Sequence, residues 1–151
     1  MEVRFVADCM LGRLSKWLRV LGYDTHYQRY YRTADIERLV REDRRLLSRH
    51  KKTAHSYPHA LLIKSNHVGD QIAELKEIIH LTPDRTKWFS RCLVCNAVLA
   101  EAQEEIAQEN IPDHVFYENM PGIRSCPSCG RHYWPGTHRT RMVKQLEAWG
   151  F

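Results

Sequence analysis

The spacing of apolar and polar residues divides the first half of the chain into short alternating segments. Residues 3–7 form an apolar run that is typical of a short buried strand. In residues 10–21, leucines recur at helical intervals, which predicts a helix with one apolar face. Arg13 and Lys16 lie on its basic face, and Gly22 is typical of a helix end.

The same alternation continues to about residue 80 and predicts the fold class. The pattern indicates a strand at 23–27, a helix from 33 to about 43, a strand at 45–48, a polar loop at 49–59, a strand at 60–64 and a helix at 69–80. Alternating strands and helices favour an α/β fold with a parallel sheet and helices on both faces. The carboxyl ends of such strands meet at one edge, where ligands bind.

The remaining residues follow a different pattern and are expected to form a second domain. The turn-forming residues 82–84 predict a boundary between a domain at 1–83 and one at 84–151. Residues 99–109 and 139–149 are predicted helices of the second domain.

Four of the five cysteines form two CxxC pairs in the second domain. They are Cys92, Cys95, Cys126 and Cys129. Two such pairs supply the four thiolates that structural zinc prefers, although the 30 residues between them exceed the roughly 15–20 of common sites. Two disulfides or a redox pair are the alternatives, which we consider weaker without a secretory signal. The sequence therefore predicts a structural zinc ribbon with an insertion, and Cys9 is expected to be a small buried residue.

The charge of the chain is concentrated in the first domain. The formal net charge is +5, and residues 1–83 contain 15 Lys and Arg against 10 Asp and Glu, whereas residues 84–151 contain 8 of each. A basic domain favours a polyanionic partner such as nucleic acid, and a solvated basic surface is the alternative. No apolar run approaches the roughly 18 residues of a membrane span. Charges also interrupt residues 1–22, so we expect a cytoplasmic protein without a signal peptide or a membrane partner.

Basic and aromatic residues are interleaved in the first domain. Residues 29–52 contain nine Lys and Arg against four acidic residues, and Tyr27, Tyr30 and Tyr31 lie among or beside them. Arginine contacts phosphate and tyrosine stacks on unpaired bases, whereas the alternative is a solvated helix face with half-buried tyrosines. The candidate RNA-binding residues are Arg13, Lys16, Arg29, Arg32, Arg45, Arg49, Lys51 and Lys52.

Acidic side chains lie where the predicted strands and helices meet. Asp8 ends the first strand, Asp35 lies near the start of a helix, and Asp70 follows the last strand. Carboxylates bind Mg²⁺ or Mn²⁺, and such ions activate water in phosphodiester hydrolysis. The alternative for Asp35 and Asp70 is stabilisation of a helix amino terminus. Asp8 is harder to explain in this way, because a charge beside an apolar strand is costly unless it is paired.

Together these segments resemble the Mut-seven C-terminal RNase domain family along nearly the whole chain. In the first domain the matching segments are residues 5–14 (FVADCMLGRL), 17–25 (WLRVLGYDT), 46–49 (LLSR) and 70–71, with Asp35 and Leu39. In the second they are residues 91–95 (RCLVC), 126–134 (CPSCGRHYW), 136–138 (GTH) and 141–142. The resemblance implies a PIN-like nuclease fold joined to a zinc ribbon, and a ribonuclease site that uses a divalent metal.

One departure from the family pattern concerns the implied metal site. The family usually shows Thr-Arg-Asp after the Leu-Leu strand, whereas this chain has Ser48, Arg49 and His50. The next strand is followed by Asn66, where an acid is often found. Neutral ligands weaken the binding of a hard ion such as Mg²⁺, although histidine can bind Mn²⁺ or act as a base.

Three interpretations of the function follow. The first is a ribonuclease with catalytic residues Asp8, Asp35, His50 and Asp70, in which Mg²⁺ or Mn²⁺ takes part and Arg13, Lys16 and Arg49 position the RNA backbone. The second is a catalytically degenerate RNA-binding protein with a tRNA or ribonucleoprotein partner. In the third, the zinc ribbon is a protein-docking module.

Overall fold

A computed structural model describes residues 2–151, which form two compact units. The first unit extends to Phe89 and the second comprises Ser90–Phe151. The segment that follows the predicted boundary at residue 83 packs with the first unit, since the Phe89 N–H donates to the Val20 carbonyl at 2.8 Å. None of the described helices is long and apolar enough to cross a membrane.

A parallel four-stranded sheet forms the centre of the first unit. The strands are β1 (Arg4–Ala7), β2 (Thr25–Tyr27), β3 (Arg44–Ser48) and β4 (Leu61–Leu62), in the spatial order β2-β1-β3-β4. Val6 of β1 pairs with His26 on one side and with Leu46 on the other. The predicted α/β class with a parallel sheet is confirmed.

Four helices flank this sheet, and they follow the predicted order with one addition. They are α1 (Gly12–Val20), α2 (Thr33–Arg41), α3 (Lys51–His55) and α4 (Val68–Ile79), and a 3-10 turn at Cys9–Leu11 precedes α1. The prediction of a polar loop at 49–59 was wrong, because α3 occupies its first part. Ala54 is its one buried residue, so the helix is too short and polar to show an apolar period.

Buried aliphatic side chains join the helices to the sheet. Ile36 and Leu39 of α2 pack with Val6 and Leu46 of the central strands in one apolar cluster. Helices α1 and α4 contact each other. Their apolar faces include Leu14, Leu18, Ile72 and Leu75, all fully buried.

Gly22 ends the turn after α1 in a conformation that requires glycine. Its φ is +95°, and a Cβ at this position would lie 2.7 Å from the Lys87 carbonyl oxygen. The absence of a Cβ at Gly22 allows the segment around Lys87 to lie against the end of α1.

The second unit contains a small antiparallel sheet and three helices. The strands β5 (Ala100–Glu101), β6 (Arg124–Ser125) and β7 (His132–Tyr133) pair in chain order, and the helices are α5 (Glu104–Asn110), α6 (Asp113–Asn119) and α7 (Thr137–Ala148). Ala107, Ile111, Phe116 and Ile123 form its apolar cluster. The helix predicted from residue 99 begins at Glu104 because residues 100–101 pair with β6, and α6 was not predicted.

Candidate functional site

The strand order creates a crevice between β1 and β3 at the carboxyl edge of the parallel sheet. After β1 the chain forms β2 on one side, and it then forms β3 on the other side of β1. Ligands of open α/β sheets bind outside the carboxyl ends of the strands at such a switch point. Asp8 follows β1 here, and Arg49 and His50 follow β3.

Asp8 is a buried carboxylate whose two oxygens are both hydrogen-bonded. Its side chain is 8% exposed, and Oδ2 accepts a hydrogen bond from the Ser48 hydroxyl at 2.5 Å. Oδ1 accepts the Met10 N–H at 3.0 Å, which caps the 3-10 turn. These bonds offset the cost of burying the charge. A carboxylate oxygen has a second lone pair, so each oxygen can still bind a ligand.

Ser48 connects Asp8 to the segment that begins α3. Its side chain is fully buried, and its Oγ also accepts the His50 N–H at 3.1 Å. His50 itself is exposed at the N-cap of α3, where its carbonyl accepts the Ala54 N–H. The sequence analysis did not identify Ser48 for this role. A serine at the last position of a buried strand does, however, indicate a hydrogen-bonding group at the end of that strand.

Asp35 and Asp70 lie in the first turns of two helices. Asp35 is the third residue of α2, and its Oδ2 accepts the Arg32 N–H at 3.2 Å. Asp70 is exposed in the first turn of α4. Both positions suit the favourable interaction of a carboxylate with a helix amino terminus.

Within the described part of the chain, no three of Asp8, Asp35, His50 and Asp70 lie close enough together to share one ion. Among residues 2–151, the group of at least three His, Cys, Asp or Glu side chains close enough to share an ion consists of the four cysteines. The catalytic roles of Asp8, Asp35, His50 and Asp70 therefore stay predictions.

Arg49 joins the ends of β3 and β4, and Glu74 joins the end of β4 to α4. Arg49 Nη2 donates to the Lys64 carbonyl at 3.2 Å and to Asn66 Oδ1 at 2.5 Å. Glu74 of α4 accepts the N–H groups of Lys64 and Ser65 at 2.9 and 2.7 Å. Burial raises the pKa of Glu74, but these hydrogen bonds outweigh it and leave the pKa below its usual value. No pattern in the sequence indicated the contact that Glu74 makes.

Most of the candidate RNA-binding residues belong to segments that follow the carboxyl ends of the strands. Arg13, Lys16, Arg29, Arg32, Lys51 and Lys52 are all exposed there. Arg49 is half-buried and donates hydrogen bonds to Lys64 and Asn66. Arg45 lies near the amino end of β3, and its Nε donates to the His59 carbonyl at 2.9 Å. Arg45 is therefore at the opposite edge of the sheet from Asp8.

The three tyrosines near the end of β2 differ in accessibility. Tyr30 is 76% exposed. Tyr31 accepts or donates a hydrogen bond with His26 Nδ1 at 2.8 Å, and Tyr27 donates to the Cys9 carbonyl at 2.9 Å. Tyr30 is therefore available for stacking, whereas Tyr27 and Tyr31 have structural contacts. The prediction that Cys9 is buried was wrong, because it lies exposed in the 3-10 turn after β1.

The four cysteines of the second unit form a compact cluster, as predicted. Their sulfur atoms all lie within 4.8 Å of one another, and Cys92 Sγ is 3.7 Å from Cys129 Sγ. Tetrahedral zinc with Zn–S bonds of about 2.3 Å requires S···S separations of about 3.8 Å. Backbone N–H groups of Cys95 and Cys129 donate to the first sulfur of each pair at 3.3 and 3.4 Å. The cluster could thus hold a metal such as zinc.

Hydrogen bonds at this cluster shift the pKa values of two thiols in opposite directions. Hydrogen bonds from Arg131 lower the pKa of Cys129 to about 6, which favours its thiolate form. The hydrogen bond between Cys95 and Cys129 raises the pKa of Cys95 to about 11. The Tyr133 hydroxyl contacts Cys92 Sγ at 3.2 Å. A metal ion replaces the proton and benefits from the same donors.

Comparison with known proteins agrees with this arrangement. A family model described as the Mut7-C RNAse domain matches residues 3–146, which include the edge around Asp8 and all four cysteines. Comparison with curated proteins gives no match. Because this match covers nearly its whole length, the chain belongs to the Mut7-C RNase domain family.

Proposed function

We propose that this protein is an RNA-processing enzyme, a ribonuclease that uses a divalent metal to hydrolyse RNA phosphodiesters. The family match supports a ribonuclease-related role. The observation that carries the proposal is the buried carboxylate of Asp8 at the switch point between β1 and β3. Carboxylates at this place in a parallel sheet face the crevice where ligands bind. A PIN-like fold is consistent with this placement.

The donor set at this edge suits an ion that is shared with the substrate. Mg²⁺ is commonly bound by one or two carboxylates together with waters and substrate phosphates, so it does not need three protein ligands. We assign Asp8 as the main ligand of Mg²⁺ or Mn²⁺, with Asp35, His50 and Asp70 as further candidates. When bound, the ion would supply charge stabilisation and water activation.

The residues around Asp8 would orient that carboxylate and bind the RNA. Ser48 fixes the direction of Oδ2, and the Met10 N–H fixes Oδ1. Arg13 and Lys16 would neutralise backbone phosphates, and Tyr30 would stack on an unpaired base. Arg49 has a different role in this proposal, because its contacts with Lys64 and Asn66 hold the edge of the sheet together.

The experiment is a cleavage assay with the purified full chain, Mn²⁺, and single-stranded RNA or tRNA. We expect cleavage by the native protein and its loss in Asp8→Asn, which keeps the size of the side chain but removes its charge. Asp24→Asn is the matched control: Asp24 pairs with Arg44 at 2.7 Å just before β2, at the opposite edge of the sheet. Unchanged cleavage by Asp8→Asn would refute the proposal.

The second candidate function is RNA binding without catalysis, with a tRNA or ribonucleoprotein partner. It is favoured by His50 and Asn66, which stand where the family resemblance implies acids. It predicts salt-sensitive RNA binding with no turnover. His50→Asp distinguishes the two candidates, since a gain of cleavage from none would indicate a site that has lost its activity.

A further inference from the structure

The second unit contains a cavity that neither the cysteine cluster nor the parallel sheet uses. Its volume is about 510 Å³, and it lies between the sheet of the second unit and the beginning of α7. The lining includes Glu101 of β5, Arg124 of β6, Gly122, and Gly136, Arg139 and Thr140. A cavity of this size accommodates a small ligand or part of a polymer.

Two arginines from different elements line this cavity. Arg124 comes from β6, and Arg139 comes from the first turn of α7. Partial burial and the positive charge of Arg124 both lower the pKa of Arg139, so the two guanidinium groups repel each other across the cavity. An anion bound between them would attract both guanidinium groups and offset their mutual repulsion.

The acidic residue at this cavity compensates only part of the charge. Glu101 is the one acidic side chain among the described lining residues, and it is the cross-strand neighbour of Arg124. One carboxylate beside two guanidinium groups leaves a net positive charge. The cavity therefore favours an anionic ligand.

The shape of the arginine side chain suits oxyanions. A guanidinium group binds the oxygens of a phosphate through two parallel hydrogen bonds, and it binds a carboxylate in the same way. The amino end of α7 borders the same space.

We propose that this cavity binds a phosphate group, held by Arg124 and Arg139. The RNA backbone and a free phosphate ion are the two sources of this phosphate, because both present the same oxygens. The site lies within the second unit, and its ligand needs no cleavage to bind. It therefore goes beyond the ribonuclease proposal and is tested separately from it.

The first arm of the test measures RNA affinity of the full chain without added divalent metal, so that no turnover occurs. Labelled single-stranded RNA is titrated and followed by fluorescence anisotropy at several salt concentrations. We expect Arg124→Ala and Arg139→Ala each to weaken RNA binding about fivefold. This factor is typical of the loss of one partly exposed, charge-assisted contact. The slope of log affinity against log salt should fall by about 0.7 for each lost phosphate contact. Arg141→Ala is the matched control, an exposed arginine of α7 outside the lining.

The second arm uses inorganic phosphate as the probe and the native chain as the sample. We expect a saturable change in the NMR shift of the Gly136 amide, which is lost in Arg139→Ala and reduced in Arg139→Lys. Effects in both arms assign the site to RNA phosphate, and an effect of inorganic phosphate alone assigns it to a free phosphate. If the native chain shows no saturable shift and the arginine variants bind RNA like Arg141→Ala, the proposal is overturned. Since the phosphate titration uses the native chain, a misfolded variant does not prevent the decision.

Discussion

Replacing Ser48 with alanine removes the hydroxyl group that joins Asp8 to the start of α3. Ser48 is fully buried and Asp8 is 8% exposed, so water cannot easily replace the lost hydrogen bond. A hydrogen bond to a charged group contributes about 1.5–3 kcal/mol, and the bond from the His50 N–H adds about 1 kcal/mol. We expect Ser48→Ala to lower the local unfolding free energy by about 2.5–4 kcal/mol.

The assay must report on the first unit alone, because a chain of two units does not guarantee two-state unfolding. Native-state hydrogen exchange of the β1 and β3 amides meets this need, and the Asp8 N–H, bonded to the Leu47 carbonyl at 3.0 Å, is a suitable probe. Ser15→Ala is the control. Ser15 is also buried, but its hydroxyl donates to the neutral Gly12 carbonyl of its own helix, so we expect a cost below about 1 kcal/mol.

A double variant isolates the interaction between Asp8 and Ser48. With Asn at position 8 the remaining bond is neutral, and the cost of Ser48→Ala should fall by about half. If Ser48→Ala costs no more than Ser15→Ala, or costs the same with Asp and Asn at position 8, then Asp8 does not depend on Ser48 and the reasoning is refuted.

The other predictions concern the cysteine cluster, His26 and Gly22. Cys126→Ser, or treatment with a chelator, should abolish zinc content measured by atomic absorption and remove amide protection in β5–β7, while β1 and β3 stay protected. Burial and then the charge of Arg44 lower the pKa of His26 from 6.5. The unfolded chain therefore binds the proton more readily, and stability of the first unit should fall as pH drops below about 6.5. His26→Gln should flatten that dependence in urea titrations. Gly22→Ala should destabilise the first unit by about 2 kcal/mol or more in urea unfolding, because of its positive φ and the Lys87 carbonyl; an effect below about 0.5 kcal/mol would contradict this.

The sequence was sufficient for the elements that have long apolar faces. Helices α1 and α4 show leucine and isoleucine at helical spacing. The strands β1 and β3 each contain adjacent buried apolar residues, so the order of these elements predicts the parallel sheet. The short helices α3 and α6 each bury one residue, which is too few to produce a period. The cysteine cluster was predictable because each CxxC spacing by itself brings two sulfur atoms close together.

The candidate site was only partly predictable, because much of it depends on which strands are neighbours. Asp8 was recognisable as an acid directly after a buried strand. The contact between Asp8 and Ser48 joins residues 40 positions apart and exists because β3 pairs with β1. The contacts of Arg49 with Lys64 and Asn66 likewise depend on β4 lying beside β3. Local sequence patterns contain no information on such pairings.

The most direct test of the central claim is a crystal structure of the full chain with Mn²⁺ and a short single-stranded RNA. Anomalous scattering identifies the manganese position without ambiguity. The account predicts manganese bonded to the Asp8 carboxylate, with an RNA phosphate oxygen bound to the same ion at the crevice between β1 and β3. RNA bound at this edge with no manganese on Asp8, or manganese found only elsewhere in the chain, would contradict the claim that Asp8 is the centre of a ribonuclease site.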